Sequence, residues 1–152
     1  MTEAAGAELH FTRIFDAPRQ LVFACMIDPD HLTHFWGPKG VSAPRDRMTV
    51  DPRPGGVFDT VMISDADGSE FPTHAIYDEV SAPERLVWTD PGSGMRVTSE
   101  FVALADGRTE VRIHQVNVPE AITSAEAQAG FLSSLDRFAS YLASLDPTDG
   151  AS

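Results

Sequence analysis

The links between strand-like segments constrain this chain more than any other feature of its sequence. Between residues 45 and 118, alternating apolar and polar residues are interrupted by short separators rich in Gly, Pro and Asp. These separators lie at residues 52–56, 67–68, 82–83, 91–94 and 106–107. Their residue types favour tight turns, whereas a parallel crossover needs about a dozen residues or more. Consecutive strands must therefore pair antiparallel, and the segment is predicted to form a six-strand meander.

The elements next to these turns follow from local patterns. Strands are predicted at residues 8–15, 45–51, 57–64, 70–80, 85–89, 95–104 and 110–118. Asp16-Ala17-Pro18 ends the first strand and predicts a helix over residues 18–26, because Pro is favoured in a first helical turn. Asp28-Pro29 repeats that signal and predicts a second short helix over residues 29–36, which stops before Gly37-Pro38.

Residues 124–144 predict one long amphipathic helix. Phe131, Leu135, Phe138 and Leu142 recur at offsets of 4, 7 and 11, which places them along one side. The other side is small and polar and is expected to lie in water. Because a sheet of about seven twisted strands curls, one helix can lie in its concave face. The predicted fold class is α+β, a curved antiparallel sheet around a long C-terminal helix with two short helices after strand 1.

Length and charge limit the classes of function. The chain of 152 residues suits one domain, predicted over residues 8–145, and the small polar residues at 1–7 and 146–152 predict flexible tails. A formal net charge of -12 opposes binding to nucleic acid. Apolar runs fall far short of the roughly 20 residues that membrane insertion needs. With a single cysteine and no leader pattern, a cytoplasmic protein is expected, either monomer or homodimer.

Several motifs occur in order along residues 9–143. They are Phe15-Asp16-Ala17-Pro18 with Val22-Phe23, Asp28-Pro29 through Phe35-Trp36-Gly37-Pro38, the segments 51–56, 83–89 and 107–111, and Gly130-Phe131. This ordered set resembles the START/SRPBCC superfamily (helix-grip fold), and within it the family similar to the C-terminal domain of the activator of heat-shock protein 90 ATPase. That family commonly has Gly-Trp where this chain has Gly130-Phe131. The resemblance implies a deep apolar pocket between sheet and helix, but it implies no single reaction.

A cavity is also expected because one helix cannot fill a curved sheet evenly. Concave, mostly apolar spaces with a few polar groups bind small ligands. The residues predicted to line such a ligand site are Phe35, Trp36, Phe58, Phe71, His74, Trp88, Met95, Phe101, Phe131, Leu135 and Phe138. His74 is the candidate polar group among them. The alternative is that the bulky side chains form a solid core.

The sequence gives no catalytic residue, metal site or cofactor. His31 and His34 lie three residues apart beside Asp28 and Asp30, but helix-borne zinc sites more often use a four-residue step, so a solvated helix face is favoured. Alternation places His114 towards solvent. No nucleophilic elbow, phosphate-binding loop or dinucleotide motif occurs.

Three hypotheses for function follow. The first is binding of a small apolar ligand in the cavity, without enzymatic activity. The second is a co-chaperone-like module with a protein partner, a heat-shock protein 90 type ATPase. The third is a cyclase- or hydrolase-like enzyme that uses His74 or an acidic residue as a proton shuttle in the same cavity.

Overall fold

The computed structural model describes residues 7–145, which form an antiparallel sheet and three helices. The strands are β1 (Ala7–Phe15), β2 (Val41–Ser42), β3 (Thr49–Val50), β4 (Val57–Ser64), β5 (Glu70–Ser81), β6 (Arg85–Thr89), β7 (Arg96–Ala103) and β8 (Thr109–Val118). The helices are α1 (Arg19–Ile27), α2 (Pro29–Leu32) and α3 (Ala125–Ser144). The strand order is β1-β8-β7-β6-β5-β4-β2, with β3 also paired to β4. The predicted α+β, helix-grip fold class is confirmed.

Turn chemistry sets the register of the meander, as at the link between β4 and β5. Gly68 takes a left-handed φ of 77° there, which disfavours residues with a side chain. Asp67 accepts a hydrogen bond from the Ser69 backbone N–H at 3.0 Å, and this bond lowers the pKa of the Asp67 carboxyl. The resulting register pairs Phe58 with Ala75 on the face that α3 covers.

Helix α3 is tied to the sheet by its apolar stripe and by one cation. Phe138 contacts Phe15 of β1 and Phe35, with ring centroids 4.8 and 4.2 Å away. The Arg137 Nη1 lies within hydrogen-bonding distance of three backbone carbonyls of the loop after α2 and of the Val41 carbonyl in β2, with the Gly37 oxygen at 2.9 Å. The expectation that this side of the helix lies entirely in water is therefore wrong for Arg137, which fastens the loop to α3.

The loop that Arg137 holds packs closely on the sheet at Gly37. A Cβ atom at Gly37 would lie 2.7 Å from Cγ2 of Val41 and 2.9 Å from Sδ of Met62. Gly37 also has a φ of 95°, so both space and backbone conformation require glycine here. This close approach brings Trp36 and Pro38 to the edge of the space between α3 and the sheet.

Two of the predicted elements differ from the observed structure. The predicted strand 45–51 is a single 3-10 turn at Arg45–Arg47 followed by the two-residue β3, because these residues carry no sustained apolar alternation. The second helix ends at Leu32, four residues before its predicted end, and continues as hydrogen-bonded turns to Trp36. The predicted tails lie outside the described residues except Ala7, which belongs to β1.

Candidate functional site

A cavity of about 290 Å³ lies between α3, the loop after α2 and the inner face of the sheet. Met26, Met62 and Met95 contribute flexible sulphur-containing side chains to its wall. The remaining wall is mainly aromatic and aliphatic, with a few polar groups. This composition is typical of small-molecule sites, and the volume is close to the lower end of their usual range of roughly 300–1,000 Å³.

The structure brings most of the predicted lining residues together. The predicted aromatic residues in the wall are Phe35, Trp36, Phe58, Trp88, Phe131 and Phe138. Met95 and Leu135 line it as well. Phe58 contacts both tryptophans, with ring centroids 5.1 Å from Trp36 and 5.7 Å from Trp88. The ligand-binding role of these residues remains a prediction.

Phe71 and Phe101 do not line the cavity, so both predictions were wrong. Phe71 pairs with Met62 and shares the inner face, but it lies next to the β4–β5 turn, at the tip of the hairpin, and is 50% exposed. Phe101 is 2% exposed and packs edge-on against Phe23 of α1 at 5.1 Å. For Phe101 the solid-core alternative is therefore correct.

His74 belongs to the wall of the cavity, but its imidazole points away from the cavity. Its Nδ1 hydrogen-bonds Oδ1 of Asp59, the residue directly opposite on β4. Asp59 alternates with Phe58 and Thr60, whose side chains are buried on the inner face. The imidazole therefore lies on the outer face of the sheet, and the predicted inward-facing polar group is not His74.

Two polar residues that the sequence reasoning missed do face the cavity. Ser99 of β7 is 4% exposed and Gln115 of β8 is 8% exposed, and both belong to the wall. A signal for them existed in the sequence. Alternation places Gln115 on the same face as the apolar Ile113 and Val111, where a polar side chain is unexpected.

The cavity has little charge. Among the described residues of its wall, Asp90 is the one carboxylate and no Lys or Arg occurs. Asp90 accepts a hydrogen bond from the Gly92 backbone N–H at 2.8 Å.

Cys25 lies outside the wall, and burial raises the pKa of its thiol to about 12, so it is an unreactive core residue.

His31 and His34, the candidate metal ligands on α2 and the turn after it, both contact Tyr141 of α3. His31 Nδ1 lies 2.5 Å from the Tyr141 hydroxyl, and the His34 ring stacks on Tyr141 at 5.1 Å. Within residues 7–145, the group of potential ligand atoms that converges is instead Glu8, His10 and His114, whose atoms lie within 4.8 Å of one another. His10 and His114 are direct cross-strand partners on the outer face of the sheet, away from the cavity.

A curved antiparallel sheet that grips a long C-terminal helix, with an apolar cavity between them, defines a protein of the helix-grip class. The family model described as Activator of Hsp90 ATPase homolog 1-like protein matches residues 16–143, and the chain belongs to this family. The resemblance inferred from the motifs is thus confirmed. Among curated proteins no relative matches.

Solved structures show the same fold. A crystal structure of a protein from Chromobacterium violaceum is 25% identical with a TM-score of 0.81, over 88% of this chain and 96% of that chain. The AHSA1 protein from Silicibacter pomeroyi is 22% identical with a TM-score of 0.75, over 90% and 98%. An AHSA1-like protein from Aeromonas hydrophila, determined by NMR in solution, is 22% identical with a TM-score of 0.78, over 90% and 92%.

Within residues 7–145, no helix combines the length and apolar character needed to cross a membrane.

Proposed function

We propose that this protein binds a small apolar molecule in the cavity between α3 and the sheet. The observation that carries the proposal is a space of about 290 Å³ whose wall is aromatic, aliphatic and methionine-rich. Trp36, Trp88, Met95 and Phe131 are only partly buried although they pack against the core. A ligand that covers their exposed apolar surface gains about 25 cal/mol for each Å² removed from water.

A neutral fluorescent probe, N-phenyl-1-naphthylamine, tests this proposal. Ala75 is buried in the wall of the cavity, so a larger side chain at this position occupies ligand space. We expect Ala75→Leu to weaken probe binding at least about tenfold, since the loss of a few well-packed groups is worth more than 1.4 kcal/mol. The matched control is Ala103→Leu at the exposed end of β7, outside the wall, which should leave binding unchanged. Equal affinities for the two folded variants would contradict binding in this cavity.

A protein partner is the second candidate, favoured by the family description and by one surface feature. Phe71 projects into solvent from the β4–β5 hairpin, where a large aromatic side chain is available for contact. The direct test is a titration of the protein into an ATPase assay of the cognate heat-shock protein 90. We expect Phe71→Ser to abolish any change in the ATPase rate; no change with the wild-type protein would remove this candidate.

A further inference from the structure

Two polar side chains in the cavity have no partner among the described residues. Ser99 and Gln115 are both more than nine-tenths buried, and neither side chain hydrogen-bonds another described residue. Within the described chain, the polar side-chain atoms that are both sealed and unpaired are Arg19 Nε and the Tyr77 hydroxyl. The polar atoms of Ser99 and Gln115 are therefore open to the cavity and not enclosed by protein. An unpaired buried polar group is unfavourable, so a partner in the cavity stabilises it.

The strand register places these two side chains together. Val97 lies opposite Gln115, and Ser99 lies opposite Ile113. Ser99 and Gln115 are therefore diagonal neighbours on one face of the β7–β8 pair, about 7–8 Å apart at their Cα atoms. The Ser99 hydroxyl and the Gln115 amide both donate hydrogen bonds. At this separation both can reach a single acceptor oxygen.

The charge around the pair selects against an anionic ligand. Among the described residues of the wall no Lys or Arg is present to neutralise a carboxylate, so a carboxylate would lose its hydration without a counter-charge. Asp90 in the wall and the net charge of -12 add repulsion. The pair is therefore suited to an uncharged oxygen.

We infer that the ligand is a neutral molecule with an apolar body and one carbonyl-type oxygen, which Ser99 and Gln115 bind together while the aromatic and methionine side chains hold the body. This inference rests on the proposed function, because it specifies the ligand class for the same cavity. A hydrocarbon alone would leave both polar groups unpaired, and an acid would lack a cationic partner.

Three probes of nearly equal shape test the inference: 2-acetylnaphthalene, 2-ethylnaphthalene and 2-naphthoate. Their affinities are measured by displacement of N-phenyl-1-naphthylamine. We expect Ser99→Ala and Gln115→Met each to weaken the ketone about two- to tenfold and to leave the hydrocarbon unchanged or slightly tighter. We expect 2-naphthoate to bind at least about tenfold more weakly than the ketone to the wild-type protein.

Ser134 provides the matched control. It also lines the cavity, but its hydroxyl already donates to the Phe131 carbonyl at 2.6 Å. Ser134→Ala should therefore leave the ratio of ketone to hydrocarbon affinity as it is in the wild-type protein. A change in that ratio as large as in Ser99→Ala would overturn the assignment of the two partners.

Thermal unfolding without probe gives an independent readout. Because Ser99→Ala and Gln115→Met replace unpaired polar groups with apolar ones, the melting temperature should stay the same or rise. A fall of several degrees would show that these side chains bond within the protein, and it would overturn the inference.

The outcomes separate this inference from the proposed function. If the fluorescent probe, the ketone and the hydrocarbon all fail to bind, the cavity is not a ligand site and both proposals fail. If they bind, but Ser99→Ala and Gln115→Met change ketone and hydrocarbon affinity by the same factor, only the carbonyl assignment fails. Tight binding of 2-naphthoate would overturn it as well.

Discussion

The inner face of the sheet has two ends that differ in packing. The end under α1 is closely packed, whereas the end beneath α3 and the loop after α2 contains the cavity. Under α1, the rings of Phe101 and Phe23 pack edge to face, and the nearby buried hydroxyl of Thr109 donates to the Ala17 carbonyl at 2.7 Å. Beneath α3 and the loop after α2, aromatic side chains surround a cavity, and Ser99 and Gln115 have no partner among the described residues. At the end under α1 the protein itself pairs the Thr109 hydroxyl, as is usual for a buried polar group, whereas Arg19 Nε is sealed there without a partner among the described residues. A polar group that faces a cavity is left for a ligand or for water.

The largest expected effect comes from a substitution in the packed region of Phe101, Phe23 and Thr109 under α1, here called the closed end. Phe101→Ala should lower the free energy of unfolding by about 3–5 kcal/mol, because it leaves a cavity in a fully packed region. Chemical denaturation measures this difference. The fraction that remains folded should bind N-phenyl-1-naphthylamine with wild-type affinity, because Phe101 lies outside the ligand cavity. A stability loss below about 1 kcal/mol would remove the distinction between the two ends.

A smaller effect is expected when the paired hydroxyl of the closed end is removed. Thr109 is fully buried, so Thr109→Val leaves the Ala17 carbonyl without its partner at nearly constant volume. The free energy of unfolding should fall by about 1–3 kcal/mol. Ser99→Ala is the counterpart at the cavity end and should cause no loss. Similar losses for both variants, measured by denaturant unfolding, would contradict the comparison.

At the cavity end, a substitution should affect ligand binding more than it affects the free energy of unfolding. Phe131 is half-buried in the wall and contacts Phe11 at 4.6 Å. Phe131→Ala should lower the free energy of unfolding by only about 1–2 kcal/mol, but it should weaken probe binding severalfold. Leu132→Ala, one residue along α3 and exposed, is the control and should affect neither property by much. Unchanged probe affinity for Phe131→Ala would argue against a binding surface there.

The smallest expected effect is a pH dependence of stability that comes from the contact between α3 and β1. Arg13 donates to Asp136 at 2.6 Å, and this hydrogen bond lowers the pKa of the Asp136 carboxyl from its usual 3.8. Since the folded pKa is depressed, the stabilisation is present above the unfolded pKa and is lost as pH falls through the folded value. Asp136→Asn should therefore melt slightly lower than the wild-type protein at pH 7, and the difference should shrink as the pH falls below 3.8. A constant difference across this range would contradict the assignment.

Much of the fold could be predicted because its causes are local. Alternation and turn residues locate the long strands, and the stripe of Phe131, Leu135 and Phe138 locates the last helix, predicted at 124–144 and observed at Ala125–Ser144. The two-residue strand β2 carries too little pattern to be recognised. The long links around it are shaped by contacts such as those of Arg137, which join residues about 100 positions apart.

The site was less predictable for a physical reason. Alternation shows which face of a strand a residue occupies, but it does not show what covers that face. Phe101 and Phe58 both point inward, and only the tertiary structure shows that α1 closes over the first and that the second faces the cavity. Bulky apolar side chains and a histidine were the expected features of a ligand site, so the small Ser99 and the uncharged Gln115 were overlooked. The cytoplasmic location and the choice between monomer and homodimer remain predictions.

The methionines provide the most direct measurement of the central claim. Met26, Met62 and Met95 line the cavity, whereas Met48 is buried outside its wall. Methyl groups labelled with ¹³C at methionine can be followed by NMR during titration with 2-acetylnaphthalene, whose ring shifts the resonances of nearby methyl groups. Binding in the cavity predicts saturable shifts at Met26, Met62 and Met95 with Met48 nearly unchanged. No saturable shift at the three cavity methionines would contradict the claim that this cavity is the ligand site.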